Sequence, residues 1–293
     1  MSERYTFTVN GVSRTAERDV PLLRYLREEL RLTSVKDGCS EGACGACTIL
    51  VDGKALRACT LTTRQAVGKT ILTVEGLSQP EQEAFVYAFG AVGAVQCGFC
   101  TPGMVLAGKA LLDQNPAPTE DEIKKAIRGN VCRCTGYKKI IEGIALAGAI
   151  LRGEKAPDPS LEAGAGFGVG KAAFRSDVRE KVLGTGVYCD DLSLEGMAHG
   201  SAVRSKYPRA RVLNIDPSEA LALPGVLAVL TAADVPHNKV GHLQQDWDVF
   251  IAQGEVTRCV GDALCLVVAE DPDTLERAKA LVRIEYEPLE PVR

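Results

Sequence analysis

The pattern of apolar and polar residues predicts a small sheet in the first quarter of the chain. Apolar residues alternate with polar ones over Tyr5–Val9, and Asn10-Gly11 follows directly. Alternation of this kind predicts a half-buried strand, and Asn-Gly between apolar runs is a strong hairpin signal. The other elements predicted for residues 1–77 are a helix that begins at Pro21, a hairpin around Asp52-Gly53 and a strand over Ile71–Val74.

After residue 77 the apolar residues recur every three to four positions, which predicts helices. Thr119 is followed three residues later by Glu122, the sequence of a capping box. Thr101-Pro102 fits an N-cap followed by proline at the first helical position. We predict a helical bundle over residues 78–153, with helices at Glu81–Gly93, Pro102–Gln114, Thr119–Arg128 and Tyr137–Leu151.

Residues 154–167 are rich in Pro, Gly, Ala and charge without any period, and we predict a linker there. Residues 168–293 alternate between strand and helix patterns, which predicts an α/β region. Its predicted strands are Ala198–Val203, Val212–Ile215, Val226–Leu230, Ala263–Ala269 and Val282–Tyr286, and its predicted helices are Pro217–Leu223 and Pro272–Leu281. The fold class predicted for the whole chain is α+β.

Composition narrows the classes of protein to which the chain can belong. Of its 293 residues 46% are apolar, and the formal net charge is −4, so there is no basic footprint for a nucleic acid. The first residues lack the features of a secretion signal, and Ile140–Leu151 is too short to span a bilayer. We therefore predict a cytoplasmic protein without a membrane span.

Eleven cysteines are many for such a chain, and disulfides are not expected among them in a reducing compartment. Eight of them occur in clusters with short gaps, and these form two sets of four. The first set is Cys39, Cys44, Cys47 and Cys59, and the second set is Cys97, Cys100, Cys132 and Cys134. Short gaps are what a metal site needs, because several sulfur atoms must converge on one point.

The first set has gaps of four, two and eleven residues, which is the spacing of plant-type [2Fe-2S] ferredoxins. Its loop contains three glycines, which let backbone N–H groups approach the sulfur atoms and raise the reduction potential. A structural zinc site is the alternative, but zinc favours two short-gap pairs. The asymmetric spacing favours a [2Fe-2S] cluster.

The second set consists of two pairs separated by 31 residues. Spacing alone leaves a cluster, a zinc site and a redox-active pair open. Each pair precedes a predicted helix, and two helix N-termini would direct their positive ends at an anionic cluster. The spacing by itself does not choose among these readings.

The sequence motifs around the cysteines favour one of these interpretations. Residues 38–48 (GCSEGACGACT), 96–104 (QCGFCTPGM) and 129–137 (GNVCRCTGY) closely resemble the iron–sulfur part of the xanthine dehydrogenase/aldehyde oxidase family of molybdenum hydroxylases. The resemblance implies a β-grasp ferredoxin domain over 1–77 and a four-helix [2Fe-2S] domain over 78–153. It implies that the second set binds the cluster nearer to molybdopterin and that Gln96 and Cys134 contact this cofactor. An ordinary hydrogen-bonding role at a helix end is the alternative for Gln96.

Residues 168–293 resemble the start of the molybdenum-binding part of the same family, the α/β hammerhead domain. The matching words are Gly168–Lys171, Arg175–Asp177, Glu180–Gly184, Tyr188–Asp191, Val260–Asp262 and Ile284–Glu287. Gly261-Asp262-Ala263 departs from the family pattern, in which Gln or Glu and then Pro follow the glycine. No catalytic residue is expected in this chain, because the substrate pocket and catalytic glutamate of the family belong to a later part.

The resemblance therefore implies an iron–sulfur electron-transfer subunit. Its expected partners are a large molybdopterin-binding subunit and, for the outgoing electrons, an FAD-binding subunit or an external acceptor. Purines, other N-heterocycles and aldehydes remain open as substrates. A stand-alone ferredoxin-like carrier, or binding module, without a molybdenum partner is the alternative, and an inactive gene product is a third reading.

The remaining candidates are given simpler interpretations. We predict three cysteines to be small buried apolar residues, namely Cys189, Cys259 and Cys265. Three histidines stand apart from other ligand types and are not expected to bind metal, namely His199, His237 and His242. Lys138-Lys139 is interpreted as a solvated helix start, with contact to a redox partner as the alternative. Arg133 is assigned either to tuning of the cluster potential or to the surface.

Overall fold

The structure is a computed structural model that describes residues 4–158, 169 and 174–292, with no side-chain description for Asp190. The chain divides into two units, Met1–Asp191 and Leu192–Arg293. The predicted linker is described only as far as residue 158. Among residues 168–171, which resemble the hammerhead domain in sequence, Val169 is described and the other three residues lie outside the described part.

The first unit begins with a five-stranded sheet whose strand order is β2-β1-β5-β3-β4. Its strands are β1 (Tyr5–Val9), β2 (Val12–Ala16), β3 (Thr48–Val51), β4 (Lys54–Arg57) and β5 (Thr70–Leu72). Strands β1 and β5 are parallel and the other pairs are antiparallel. The helix α1 (Leu22–Arg24) continues as a π-helical turn over Tyr25–Glu29 and buries its leucines beneath the sheet. This is the β-grasp arrangement that the resemblance implied.

Both predicted hairpins are confirmed. Asn10 and Gly11 have φ values of 50° and 78°, and Asp52 and Gly53 have 48° and 79°. Two consecutive residues with positive φ make the type I′ turn that matches the twist of a two-residue hairpin. The predicted strand over Ile71–Val74 is wrong at its end, since Val74 begins a 3-10 turn. Pro21 precedes its helix as the N-cap instead of beginning it.

Four helices follow in the first unit, as predicted: α2 (Gln79–Val92), α3 (Thr101–Gln114), α4 (Glu120–Ile127) and α5 (Lys138–Leu151). The capping box of Thr119 and Glu122 is confirmed, and Ser78 with Glu81 forms a second one at the start of α2. The prediction for Thr101 is wrong by one residue. Thr101 lies inside α3, and Cys100 occupies the N-cap position.

The helices pack around a core that contains Phe85, Phe89, Met104 and Ile140, all fully buried. Helix α5 approaches α2 closely at Gly143, where an added Cβ would lie 3.0 Å from the Phe89 ring. Helix α3 also packs on β3, so the bundle and the sheet share a face. This packing brings the segments that precede α3 and α5 to the same end of the bundle.

A further helix, α6 (Val178–Leu183), was not predicted and packs on α2 and α3 through the buried Val178 and Val182. Residues 174–191 therefore belong to the first unit, although the sequence pattern placed them with the region after the linker. The domain boundaries at 77, 153 and 167 stay predictions.

In the described residues of the second unit, the strands form three antiparallel sheets. Strands β6 (His199–Arg204), β11 (Ala263–Ala269) and β8 (Val226–Leu230) form one sheet with β11 in the centre. The other pairs are β7 (Ala210–Asp216) with β12 (Arg283–Pro288), and β9 (Lys239–Val240) with β10 (Trp247–Asp248). Helices α7 (Ser218–Leu221) and α8 (Pro272–Leu281) complete the unit.

All five predicted strands of this region are present, and α8 has the predicted bounds. Helix α7 is shorter than predicted because it ends at Leu221, and the β9–β10 pair was not predicted. In the part of the chain that the structure describes, no helix is long and apolar enough to cross a membrane.

Candidate iron–sulfur centres

The first cysteine set lies on one loop and on the turn that follows the next hairpin. Cys39 and Cys44 belong to the glycine-rich loop, Cys47 immediately precedes β3, and Cys59 lies in a 3-10 turn after β4. The Cys39 and Cys44 thiols are within hydrogen-bonding reach of each other, and so are those of Cys47 and Cys59. The structure therefore brings all four predicted ligands together, as two pairs.

The loop folds so that backbone N–H groups point at sulfur. The N–H groups of Glu41 and Cys44 donate to Cys39 Sγ at 3.4 Å, and that of Ala46 donates to Cys44 Sγ at 3.5 Å. Gly42 and Gly45 have φ values of 76° and 72°, a conformation that glycine adopts without strain. Donors arranged in this way stabilise negative charge on the thiolates and on a bound cluster.

Burial and hydrogen bonding separate the thiols of this set. The N–H groups of Cys44 and Glu41 lower the pKa of Cys39 to about 7. Burial raises the pKa of Cys47 to about 12. Cys47 is 2% exposed, so its thiolate form requires a metal to replace the lost water.

The second set is assembled from two distant segments. Cys97 and Cys100 lie before and at the N-cap of α3, and Cys132 and Cys134 lie in the turn before α5. The Sγ atoms of Cys97 and Cys134 are 3.6 Å apart, and the thiols of Cys100 and Cys132 are within hydrogen-bonding reach. All four predicted ligands are again brought together in two pairs.

A strained turn holds the second segment in place. Tyr137 has a φ of 71°, which is rare for a residue other than glycine, and its hydroxyl accepts a hydrogen bond from the Cys132 N–H at 2.9 Å. The Thr135 Oγ1 atom lies 3.1 Å from Cys132 Sγ and accepts the Tyr137 N–H. Burial raises the pKa of Cys132, but hydrogen bonds lower it by more, and the largest of these comes from the Thr135 side chain. The pKa of Cys132 is therefore lowered overall. Burial raises the pKa of Cys100.

These donor sets fit [2Fe-2S] clusters. Each contains four thiols in two pairs, which matches two irons that each take two thiolates. Within the described residues, no group of three or more Cys, His, Asp or Glu side chains is arranged to hold a single metal ion. At Gly38 an added Cβ would lie 3.0 Å from Cys44 Sγ, so the loop leaves room for sulfur only because it carries glycine there.

The two candidate centres are in direct contact through the backbone. The Val131 N–H donates to the Cys44 carbonyl at 2.8 Å, which joins the residue before Cys132 to a ligand of the first set. Asn130, which is 6% exposed, donates through Nδ2 to the Gly45 carbonyl at 2.9 Å. Each cysteine set thus supports the loop of the other.

One edge of the second set is open. Cys97 and Cys134 are exposed, whereas Cys100 and Cys132 are partly buried. Gln96 is exposed beside Cys97, and its carbonyl accepts a hydrogen bond from Arg175. A contact of Gln96 and Cys134 with molybdopterin stays a prediction.

Among the other candidates, the cysteine prediction needs correction. Cys265 is fully buried in β11 as predicted, but Cys189 and Cys259 are exposed. Cys189 lies in a surface 3-10 turn, and Cys259 lies in the turn before β11, where its Sγ is 3.1 Å from Asp262 Oδ1. Both lie in turns rather than in strands, which leaves their side chains at the surface. Arg133, Lys138 and Lys139 are exposed.

Sequence reasoning missed several residues that support the sites. They are polar groups that are buried, strained or bonded to the cysteine loops, namely Lys36, Asn130, Tyr137, Tyr188 and Asp191. Asn130 and Tyr137 stand inside the GNVCRCTGY word, which was their only signal. Nothing in the sequence pairs Lys36 with Asp191, 155 residues further on.

Three family models match the chain. Residues 7–72 match the 2Fe-2S iron-sulfur cluster binding domain, and residues 73–145 match the [2Fe-2S] binding domain. Residues 183–290 match the a/b hammerhead domain of aldehyde oxidase and xanthine dehydrogenase. Two [2Fe-2S]-binding domains and an iron–sulfur role in electron transfer are therefore supported.

Similar proteins agree with these matches. Aldehyde oxidoreductase of Megalodesulfovibrio gigas is 37% identical over 306 residues, a match that covers 96% of this chain and 33% of the relative. The nicotinate dehydrogenase small FeS subunit of Eubacterium barkeri is 49% identical over 142 residues, which cover 47% of this chain and 90% of that subunit. The present chain thus spans about a third of the first relative and nearly all of the second.

A solved structure of aldehyde oxidoreductase from Desulfovibrio gigas superposes with a TM-score of 0.85 at 32% identity, covering 98% of this chain and 34% of that one. The fold, the cysteine geometry and these similarities lead to one assignment. The chain belongs to the xanthine dehydrogenase/aldehyde oxidase family of molybdenum hydroxylase oxidoreductases, and it joins the two [2Fe-2S]-binding domains of that family to its hammerhead domain.

Proposed function

We propose that this chain carries electrons from the molybdenum site of a hydroxylase, through two [2Fe-2S] clusters, to a flavin subunit or an external acceptor. The ligands of the cluster nearer to molybdenum are the second set, and those of the cluster farther away are the first set. The observation that carries the proposal is the grouping of eight thiols into two sets of four on one folding unit.

Each cluster, when bound, takes up and releases one electron at a time. The protein contributes thiolates, N–H donors and a fixed spacing between the sites. The loop donors of Glu41, Cys44 and Ala46 favour the more negative, reduced state of the first centre. The Val131 N–H bonds to the Cys44 carbonyl, so the loops that carry the two centres are joined directly.

The open edge of the second centre supports the direction of transfer. Cys97 and Cys134 are exposed there, next to Gln96, whereas the opposite pair is covered by the bundle. We propose that molybdopterin lies against this edge, with Gln96 and Cys134 in contact with it. Electrons then enter at the exposed pair and leave by the first set.

The molybdopterin-binding loops and substrate pocket are proposed to lie on a large partner subunit. Support comes from the relative named as a small FeS subunit, which is 49% identical over 47% of this chain and matches over 90% of its own length. The hammerhead domain provides this chain with part of the molybdenum-binding region. An FAD-binding subunit and a cytoplasmic location stay predictions, and the substrate class remains open among purines, other N-heterocycles and aldehydes.

Metal analysis of the native assembly, purified through a tag on this chain, tests the proposal. We expect about four irons per chain, from two [2Fe-2S] clusters, with molybdenum in a separate, larger polypeptide. Electron paramagnetic resonance of the reduced assembly should show two distinct signals. Iron without molybdenum would instead indicate a stand-alone carrier, and the absence of both would indicate an inactive product.

The mass of the tagged polypeptide gives a second reading of the same sample. A tagged chain of about 31 kDa beside a larger molybdenum-containing chain agrees with the proposed partner. Molybdenum on a single long polypeptide that includes this sequence would contradict a separate subunit, while leaving the electron-transfer role in place.

A further inference from the structure

Residues 174–191, which we call the covering segment, lie across the loop that carries Cys97 and Cys100. The Tyr188 hydroxyl donates to the Cys97 carbonyl at 2.7 Å, and its ring meets the Phe99 ring edge-on at a centroid distance of 5.2 Å. Arg175 donates to the Gln96 carbonyl and, at 3.3 Å, to the Val95 carbonyl. The covering segment therefore contacts this loop on both sides of Cys97.

Lys181, on α6 of the covering segment, places its stem directly on Gly98. A Cβ added to Gly98 would lie 2.6 Å from Lys181 Cδ, so the stem passes over the residue between Cys97 and Cys100. The Lys181 ammonium lies 4.2 Å from the centre of the Tyr188 ring. The side chain is half-buried, and among the described side chains it forms no ion pair.

The Lys36 ammonium lies 4.7 Å from the centre of the same Tyr188 ring, but unlike Lys181 it has an ion-pair partner. Its ammonium is 2.8 Å from Asp191 Oδ2, and the Asp191 carboxylate also bonds Arg27 at 2.7 Å. Lys36 is 1% exposed, so this ion pair is sealed from water. Lys36 therefore has a carboxylate at hydrogen-bonding distance, whereas Lys181 has none among the described side chains and interacts with Asp177 only at longer range.

We propose that Lys181, held on the Tyr188 ring over Gly98, is a positioning residue that raises the reduction potential of the cluster on the second set. Reduction adds one negative charge to a centre that already carries four thiolates, so a nearby cation stabilises the reduced form more than the oxidised form. The cation–π contact keeps the ammonium at the loop although its stem is flexible. This inference rests on the proposed presence of that cluster.

The consequence is an unequal pair of centres. The first set receives N–H donors from its own loop, whereas the second set also receives a positive charge from the covering segment, which follows both of its cysteine pairs in the chain. A raised potential at the second centre makes it the better acceptor for electrons that leave the molybdenum site. The covering segment thereby links the start of the hammerhead-matching region to the redox chemistry of the bundle.

The test is a potentiometric titration of the reduced and oxidised holo chain, followed by the two paramagnetic signals at constant ionic strength. Lys181→Met keeps the unbranched stem over Gly98 and removes the charge. We expect the midpoint of the second-set signal to fall, by up to about tenfold in the equilibrium constant for reduction, or ~59 mV for one electron. The first-set midpoint should move less, and Lys181→Arg should restore the wild-type value.

Arg179→Gln is the matched control, because it removes one positive charge from the same helix. Arg179 bonds the Glu83 carboxylate on α2 at 3.0 Å, so its charge is already paired. It should leave the second-set midpoint unchanged. An unchanged midpoint in Lys181→Met with both clusters loaded, or an equal shift in Arg179→Gln, would overturn the inference.

If Lys181→Met loads poorly, Lys181→Gln provides a second neutral variant for the same titration. A wild-type chain with one paramagnetic signal, or with only two irons, would contradict the proposed function itself. The iron content of the wild-type chain therefore separates failure of the proposed function from failure of this inference.

Discussion

The two cysteine sets build similar donor groups by different folding routes. The first set spans 21 residues, from Cys39 to Cys59, and is assembled by one loop and the hairpin that follows it. The second set spans 38 residues and comes together only when the segments before α3 and α5 are packed at one end of the bundle. Cysteine spacing therefore predicts a site that is built from one local segment, but it does not predict a site that is assembled by packing.

The comparison also shows that the local site is not independent. An added Cβ on Gly45 would lie 2.3 Å from the Gly129 carbonyl, and Asn130 bonds the Gly45 carbonyl. The glycine loop of the first set thus forms part of the surface against which the second segment of the second set packs. Substitutions on either side of this contact measure how far the two centres depend on each other.

The largest expected effects follow loss of a thiol. Cys47→Ser should remove the first-set cluster and Cys100→Ser the second-set cluster, each lowering iron from about four to about two per chain. Each variant should lose one paramagnetic signal and keep the other. A single substitution that abolished both signals would show that the two centres cannot be occupied separately.

Gly45→Ala should be the most damaging change outside the ligands. The residue has a φ of 72°, and the added methyl would overlap the Gly129 carbonyl, so we expect a loss of about 3–5 kcal/mol in the free energy of unfolding. Urea unfolding of the holo chain measures it.

Gly11→Ala is the control for Gly45→Ala. Gly11 has a φ of 78°, but an added Cβ would meet no atom within 4 Å. It should cost only about 1 kcal/mol, from backbone strain alone. Equal losses in the two variants would mean that the contact between the cysteine loops contributes nothing to stability.

Substitution of Asn130 tests the same contact by removing a hydrogen bond rather than by adding side-chain volume. Asn130→Ala removes the donor to the Gly45 carbonyl and should cost about 1–3 kcal/mol, because that bond is buried. Asn130→Asp should cost more, since it places an acceptor against the carbonyl. Thermal unfolding of both variants gives the order, and a more stable Asp variant would contradict it.

Tyr137→Phe should have the smallest effect. It removes the hydroxyl that accepts the Cys132 N–H and should cost about 1 kcal/mol. Because this bond serves the second set alone, only the second-set paramagnetic signal should change in shape or midpoint. A change confined to the first-set signal would be inconsistent with the geometry.

Local signals predicted much of the fold. Asn10-Gly11 and Asp52-Gly53 specified their hairpins because two residues of positive φ suffice to close a two-residue turn. Thr119 and Glu122 specified the start of α4 because both capping bonds lie within one turn. The end of β5 and the cap of α3 were off by one or two residues, since competing local patterns differ little in energy at the ends of elements.

Such local signals did not predict the long-range contacts. The exposure of Cys189 and Cys259 was mispredicted because the burial of a residue depends on which distant segments pack against it. The residues next to it in the sequence do not specify those segments. The α6 helix and the covering segment belong to the first unit because α6 packs on α2 and α3 and because Asp191 pairs with Arg27 and Lys36, all of which lie much earlier in the chain. No periodicity within residues 174–191 encodes those partners.

By itself, the sequence determined the family, through the motifs around the cysteines, and it predicted the eight ligand thiols and the cluster type of the first set. Tertiary structure alone decided that Cys97 approaches Cys134, that Val131 joins the two centres, and that Lys181 lies over Gly98. The physical reason is that spacing and turn chemistry act over a few residues. By contrast, the convergence of distant segments is set by the packing of the whole core, where many small contacts act together.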